Sequence, residues 1–224
     1  MKTIFQYTRF FFYIAWNWHI WLSFFMLYHD IKGYFKYRIS TFVPVKLKHL
    51  TIHDADISKS SPYEAVNYYI LEKLLKTFTK FSSERSIVDL GCGKGRVMVV
   101  AAHHGFADIT GIDFAKELCK EAIGNMQKTQ ALIPNIKWKV VHANVLNYSI
   151  QPEDSVFFMF NPFVAETLNL FLDKLEASCK NHPRKTWFLY ASPQHATALE
   201  KRGYQIVYRK KLMNLEGNIL EHGV

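Results

Sequence analysis

Residues 86–96 read SIVDLGCGKGR, a short apolar run that passes directly into three glycines with one residue between each pair. A run of this length is typical of a buried strand, and Gly91, Gly93 and Gly95 permit a sharp turn and the close approach of a ligand to the backbone. A helical pattern follows Gly95. The segment therefore predicts a strand, a loop and a helix that together cradle a nucleotide-like ligand.

The spacing of this loop differs from that of dinucleotide-binding loops. In those loops the pattern is G-x-G-x-x-G, and a pyrophosphate lies at the helix N-terminus. Here the third glycine comes one residue earlier, and Asp89 precedes the first. A carboxylate at this point can engage the cationic amino group of a bound amino acid, which S-adenosylmethionine carries and a pyrophosphate cofactor lacks. The spacing therefore disfavours NAD.

Apolar runs alternate with helical patterns along the rest of the chain, which predicts an α/β fold. A capping box at residues 61–64 predicts that the first helix of the domain begins at Pro62. We expect a doubly wound, mostly parallel seven-stranded sheet with helices on both faces, preceded by an N-terminal hydrophobic helix. The predicted strands are 86–90, 108–113, 136–141, 155–160, 186–191, 205–209 and 215–220, and the predicted helices are 62–78, 95–104, 115–127, 165–178 and 194–202.

Polar residues lie at the ends of the next two strands of this predicted sheet. Asp113 ends the second strand, where its carboxylate can accept hydrogen bonds from the two hydroxyls of a ribose. Asn144 follows the third strand, where its side-chain oxygen could meet the exocyclic amine of an adenine. Together with Asp89, these residues predict anchors for the amino acid and nucleoside parts of one ligand.

Residues 61–209 resemble the class I, Rossmann-like S-adenosylmethionine-dependent methyltransferases, with DLGCGKG at residues 89–95 as the first motif and Asp113 as the second. The resemblance implies that Gly91, Gly93 and Gly95 line the methionine moiety of S-adenosylmethionine. It likewise implies that Asp113 holds the ribose and Asn144 the adenine. The family more often has Asp where this chain has Asn144.

The fourth strand runs into Phe160-Asn161-Pro162-Phe163, which resembles the Asn-Pro-Pro-Tyr signature of methyltransferases that modify an amino or amide nitrogen. In those enzymes the polar side chain and a following carbonyl accept the N–H groups, and the aromatic ring stacks on a planar substrate. This chain lacks the second Pro, so Phe163 stands one place early. The resemblance implies that Asn161, Pro162 and Phe163 form the catalytic segment. A simple turn that leaves the strand is the alternative.

The N-terminal run from Phe10 to Tyr28 contains no formally charged residue and, as a helix, would nearly span a bilayer core. Its Trp residues favour the membrane interface, so a helix that lies in the headgroup region is a second interpretation. An aromatic helix packed on the catalytic domain is a third. We predict a membrane-anchor or interfacial helix at 1–31, a linker at 32–60 and a methyltransferase domain at 61–224.

The 224-residue chain has a formal net charge of +9, which favours an anionic partner, either nucleic acid or lipid headgroups. Basic residues after the apolar run place the catalytic domain on the cytoplasmic side by the positive-inside rule, and a cytoplasmic protein is the alternative. The three cysteines have neither metal-ligand nor disulfide spacing, so no metal is predicted.

Together these features predict an S-adenosylmethionine-dependent methyltransferase that acts on an amine or amide nitrogen of a protein lysine or a lipid at the membrane. Nucleic acid is a less favoured partner because no basic stripe with interleaved aromatics follows the first 50 residues. The alternatives are an RNA or small-molecule methyltransferase, and a non-catalytic membrane-tethered protein that binds S-adenosylmethionine.

Overall fold

A computed structural model describes residues 20–41, 64–160 and 164–223, together with residues 8, 11–12 and 15–16. The described helices are α1 (Ile20–Tyr37), α2 (Tyr68–Phe81), α3 (Arg96–His103), α4 (Lys116–Leu132), α5 (Ala165–Asn181) and α6 (Ala196–Glu200), and a short 3-10 helix lies at Val145–Asn147. The strands are β1 (Ser86–Leu90), β2 (Asp108–Asp113), β3 (Lys137–His142), β4 (Val156–Met159), β5 (Thr186–Ala191), β6 (Gln205–Leu212) and β7 (Leu215–His222).

These strands form a seven-stranded sheet in the order β3-β2-β1-β4-β5-β7-β6. The first five strands along the chain pair in parallel, whereas β7 pairs antiparallel with both β5 and β6. The predicted mostly parallel seven-stranded sheet is thus confirmed. The strand order reverses at β1 and β4, where Leu90 pairs with Met159. Ligands of such sheets bind beyond the carboxyl ends of the strands at this switch point, which here lies beside the glycine loop.

Both faces of the sheet are covered by helices. One face packs against α2, α3 and α4 through residues such as Leu74, Val99 and Met126. The other face packs against α5 and α6 through residues such as Leu172 and Leu199. The central strands are therefore buried on both sides, and their apolar runs are continuous rather than alternating.

Helix α2 begins later than the capping box predicts. Residues 64–67 are not helical, and the helix starts at Tyr68 because the Asn67 side chain accepts a hydrogen bond from the backbone N–H of Tyr69 at 2.9 Å. The carbonyl of Val66 is taken by the Arg96 guanidinium at 2.7 Å. The predicted start at Pro62 is therefore wrong, because a tertiary contact holds the chain extended up to the Asn67 cap.

Helix α1 packs on the catalytic domain. Tyr37 stacks on Tyr68, with ring centroids 5.5 Å apart, and Leu22 is buried. Gly33 allows this approach, since a Cβ at that position would lie 2.4 Å from the Tyr68 ring. Helix α1 also runs through the boundary predicted between residues 31 and 32, and 32–37 are helical instead of linker.

No helix within the described residues is long and apolar enough to cross a membrane. Ile20 to Tyr28, the second part of the predicted apolar span, belongs to α1, which continues through Asp30, Lys32 and Lys36. Those charges and the docked face of α1 distinguish it from a lipid-embedded helix. The first part of the span, from Phe10, lies largely outside the described residues. The described residues therefore do not support a transmembrane helix.

Candidate cofactor and active site

The three glycines of the loop after β1 all have left-handed backbone conformations, with φ of 82° at Gly91, 51° at Gly93 and 76° at Gly95. L-residues with a side chain rarely adopt this conformation, which explains the glycine at each position. The backbone N–H groups of Gly91 and Cys92 both donate to the Ile112 carbonyl at 2.9 Å. The loop is therefore folded against the end of β2.

Asp113 fastens the glycine loop to the end of β2. One carboxylate oxygen accepts the N–H of Gly93 at 2.8 Å, and the other accepts that of Ala115 at 2.9 Å. Burial raises the pKa of Asp113, and the hydrogen bonds from these two N–H groups act in the opposite direction. Asp113 thus lies beside the loop, and its contact with a ribose stays a prediction.

Asp89 is a buried carboxylate with an unpartnered oxygen. The residue is only 3% exposed, and its Oδ2 atom has no hydrogen-bond partner. Burial, and then the negative charge of Asp113, raise its pKa well above the usual value. A buried polar atom without a partner is costly, so such an atom points to a ligand that supplies a donor. The cationic amino group of S-adenosylmethionine has the charge and the donors that Asp89 lacks, so the residues present fit this cofactor.

The opposite side of the loop is held by α4. The Lys94 ammonium lies 3.1 Å from a Glu121 carboxylate oxygen, and Asn125 donates to the Lys94 carbonyl at 2.9 Å. Sequence reasoning missed these supports. Their only sequence signal is the spacing of Glu121 and Asn125, four residues apart on one face of a predicted helix.

The other predicted site residues are Asn144 and the segment from Asn161 to Phe163. The Asn144 side-chain oxygen accepts the N–H of Leu146 at 2.9 Å and so caps the 3-10 helix at Val145–Asn147. The oxygen predicted to meet the adenine already has this structural role, and the adenine contact stays a prediction.

Asn161, Pro162 and Phe163 lie outside the described residues. The described chain leads towards them through β4, which ends at Met159 beside β1.

The folded glycine loop, its anchoring by Asp113 and the unpartnered Asp89 carboxylate define a nucleoside-cofactor site in a class I, Rossmann-like sheet. Residues 87–182 match the family model described as a methyltransferase domain. The protein is an S-adenosylmethionine-dependent methyltransferase, as the sequence predicts.

Solved structures of methyltransferases share this fold. Magnesium protoporphyrin IX methyltransferase from Synechocystis PCC 6803, with S-adenosylmethionine bound, is 14% identical, with a TM-score of 0.52 over 68% of this chain and 77% of that chain. An S-adenosylmethionine-dependent methyltransferase from Aquifex aeolicus is 13% identical, with a TM-score of 0.51 over 68% and 90%. The Pyrococcus abyssi tRNA (uracil-54, C5)-methyltransferase, in complex with S-adenosylhomocysteine, is 16% identical, with a TM-score of 0.50 over 69% and 38%. No curated protein matches the chain by sequence.

Proposed function

We propose that this methyltransferase modifies an amine or amide nitrogen of a protein lysine or a lipid at an anionic membrane surface, with its catalytic domain facing the cytoplasm. The membrane part of the proposal rests on the exposed apolar side chains of the outward face of α1. The Asn161-Pro162-Phe163 segment after β4 supports a nitrogen acceptor. An RNA acceptor and a non-catalytic role are the alternatives that methyl-transfer experiments distinguish.

The outward face of α1 is apolar and largely aromatic. Its members follow one side of the helix, and each is between 48% and 73% exposed: Ile20, Trp21, Phe24, Tyr28, Ile31, Tyr34 and Phe35. Soluble proteins rarely expose contiguous apolar patches of this kind unless the patch binds a partner. A helix with such a face and flanking basic residues is typical of proteins that lie in a lipid headgroup region.

The charges around this face are complementary to anionic lipid. Between residues 20 and 41 the only carboxylate is Asp30, which is turned inward and paired with Arg96 at 2.9 Å. The charged groups left towards solvent are basic, among them Lys32 and Arg38, both exposed, while Lys36 is paired with Glu72 of α2 at 2.7 Å. Basic residues beside an anionic leaflet contribute about 1 kcal/mol each. The face therefore fits an anionic bilayer better than a neutral one.

The methyl acceptor is inferred from the chemistry that the site must perform. S-adenosylmethionine supplies an already activated methyl group on its sulfonium, so the protein's main task is to hold the acceptor in line at near-contact distance. Bound S-adenosylmethionine would supply the methyl group, with the S–C bond breaking as the N–C bond forms, and the acceptor nitrogen would lose a proton to solvent. An Asn161 side-chain oxygen that accepts an N–H of the substrate would direct the nitrogen lone pair towards the methyl group.

Transfer of labelled methyl groups tests the acceptor. We expect the full-length protein to label the protein or lipid fraction of cell membranes, and Asn161→Ala to slow transfer about 100-fold through misplacement of the acceptor. The affinity of Asn161→Ala for S-adenosylhomocysteine should stay unchanged, since the residue is not assigned to the cofactor. Label confined to the RNA fraction would contradict the acceptor class, and the absence of label in every fraction would favour the non-catalytic alternative.

Vesicle binding tests the membrane surface. We expect the full-length protein to sediment with vesicles that contain phosphatidylglycerol, and to be released by salt because the attraction is partly electrostatic. The variant Trp21→Ser/Phe24→Ser/Tyr28→Ser should bind at least about tenfold more weakly through loss of apolar burial. Leu132→Ser/Leu170→Ser, which removes exposed apolar side chains elsewhere, is the matched control. Equal binding by both variants and the unmodified protein would refute the assignment.

A further inference from the structure

Arg96 joins the cofactor loop to the N-terminal helix. It is the first residue of α3, directly after Gly95, and its side chain is 4% exposed. Its Nη1 atom lies 2.9 Å from an oxygen of Asp30 in α1 and 2.7 Å from the Val66 carbonyl. Its Nε atom donates to the Thr41 hydroxyl at 2.7 Å. Three chain segments distant in sequence therefore meet on one guanidinium.

The guanidinium also stacks on an aromatic ring. Its central carbon lies 4.1 Å from the centroid of the Tyr68 ring, at the start of α2. Arginine suits such a site because its planar group can donate in several fixed directions and stack at the same time. Burial raises the pKa of Asp30, and the charge of Arg96 and its hydrogen bond oppose that shift. Removal of either partner would leave an uncompensated buried charge.

The Arg96 contacts lie at the point where the glycine loop ends and α3 begins. Gly95 is the N-cap of α3 and has no side chain to fix the helix start, so the next residue carries the contacts that orient the first turn. On its other side the loop is held by Lys94, whose ammonium pairs with Glu121. The loop is thus held between α4 on one side and α1 on the other.

We propose that Arg96 is a positioning residue for the cofactor loop, and that α1, through Asp30, is part of the structure that gives the protein its affinity for S-adenosylmethionine. The inference requires only cofactor binding. It is independent of the methyl acceptor and of the membrane contact. A purely structural ion pair would affect thermal stability alone, whereas a positioning pair also changes the cofactor affinity of the folded protein.

The test measures S-adenosylhomocysteine binding by calorimetry on full-length variants, well below their melting temperatures. We expect Asp30→Asn and Arg96→Lys to weaken binding about tenfold, as for other residues that couple an element to a distant site. Thr41→Val removes the hydroxyl that accepts from Nε and should give a smaller loss. It also keeps the test valid if the two charge variants fail to fold.

Arg202→Lys is the matched control. Arg202 is a partly buried arginine that pairs with Asp173 and Glu176, each at 2.7 Å, and these partners, like Asn169, lie in α5 and not in the glycine loop. This variant should lose stability without losing affinity for S-adenosylhomocysteine. An affinity that is unchanged in all the variants of the Arg96 cluster, or reduced equally in Arg202→Lys, would overturn the proposal.

A second pair of variants tests the docking of α1 without replacing Arg96 or any of its hydrogen-bond partners. Gly33→Ala brings a Cβ within 2.4 Å of the Tyr68 ring and should push α1 away, whereas Gly124→Ala in α4 meets nothing within 4 Å. We expect weaker S-adenosylhomocysteine binding for Gly33→Ala alone. Equal affinity in these two variants would contradict the role of α1. If no form of the protein, unmodified included, binds the cofactor product, the enzyme assignment itself fails, which is a separate result.

Discussion

Replacement of Asp89 by Asn is expected to weaken the binding of S-adenosylmethionine about 10–100-fold and to leave the domain folded. The Oδ2 atom of Asp89 is buried without a hydrogen-bond partner, and the group is costly to ionise there. The variant removes that cost and also removes the negative charge that would face the cofactor's ammonium group. The thermal shift produced by S-adenosylmethionine should therefore be lost while the melting temperature of the free protein does not fall.

The raised pKa of Asp89 also predicts a pH dependence. The folded free protein holds the proton of Asp89 more tightly than the unfolded chain, so this group lowers stability as the pH rises above the usual value of 3.8. The cofactor's cationic group favours the ionised carboxylate, so binding should release a proton and tighten as the pH rises through the raised pKa of Asp89. Calorimetry in two buffers with different ionisation enthalpies measures that proton.

Asp108→Asn provides the comparison for both measurements, because Asp108 is an exposed acid at the start of β2. It should retain cofactor affinity and proton release, and Asp89→Asn should lose both. Unchanged affinity in Asp89→Asn, or proton release that persists in that variant, would show that the buried carboxylate does not face the cofactor.

Replacement of Gly95 by Ala is expected to unfold the loop region and to abolish the cofactor-induced thermal shift. Its φ is +76°, and an added Cβ would lie 3.1 Å from the Ala122 side chain and 3.2 Å from its backbone. The backbone of α4 cannot move at low cost. We therefore expect overpacking to lower the free energy of unfolding by about 1–3 kcal/mol, and the left-handed conformation of the new Ala to lower it by about 1–2 kcal/mol more. Denaturant unfolding and thermal shift measure the two effects.

Gly105→Ala measures the cost of a left-handed backbone conformation where an added Cβ has room. Gly105 has a similar φ of +85°, but an added Cβ would meet nothing within 4 Å. This variant should lose only about 1–2 kcal/mol of stability and keep its response to S-adenosylmethionine. Equal losses of stability in Gly95→Ala and Gly105→Ala would mean that the close contact between α4 and the loop does not contribute to stability.

The sheet could be predicted from the sequence because its signals are local. The bounds of β1, β2 and β5 are as predicted, and β1 and β5 are apolar runs followed by Gly91 and by Ser192-Pro193, which favour turns. The start of α2 could not be predicted. Ser61 to Glu64 carries a complete capping box, yet the helix begins at Tyr68 because the Val66 carbonyl bonds Arg96, thirty positions along the chain. Such a contact exists only once the fold has formed.

The candidate site divides in the same way. Asp89 and Asp113 could be placed at the carboxyl edge from their positions in the last residues of strands, and the structure brings both to the glycine loop. The pairing of Asp30 with Arg96 joins residues 66 positions apart, and no periodicity or motif indicates it. The pairing of Lys94 with Glu121 could not be predicted from the sequence either, because each side chain alone has the character of an ordinary surface charge.

The sequence by itself determined the cofactor class, because glycine spacing and a preceding acid prescribe a backbone geometry and a charge that are local to residues 89–95. Only the tertiary structure decided what the N-terminal segment does from Ile20 onwards. A run rich in aromatic and aliphatic residues on every side does not show which of its faces will be buried. In the fold, Gly33 and Asp30 select that face, since one permits the approach of the Tyr68 ring and the other meets the buried guanidinium of Arg96.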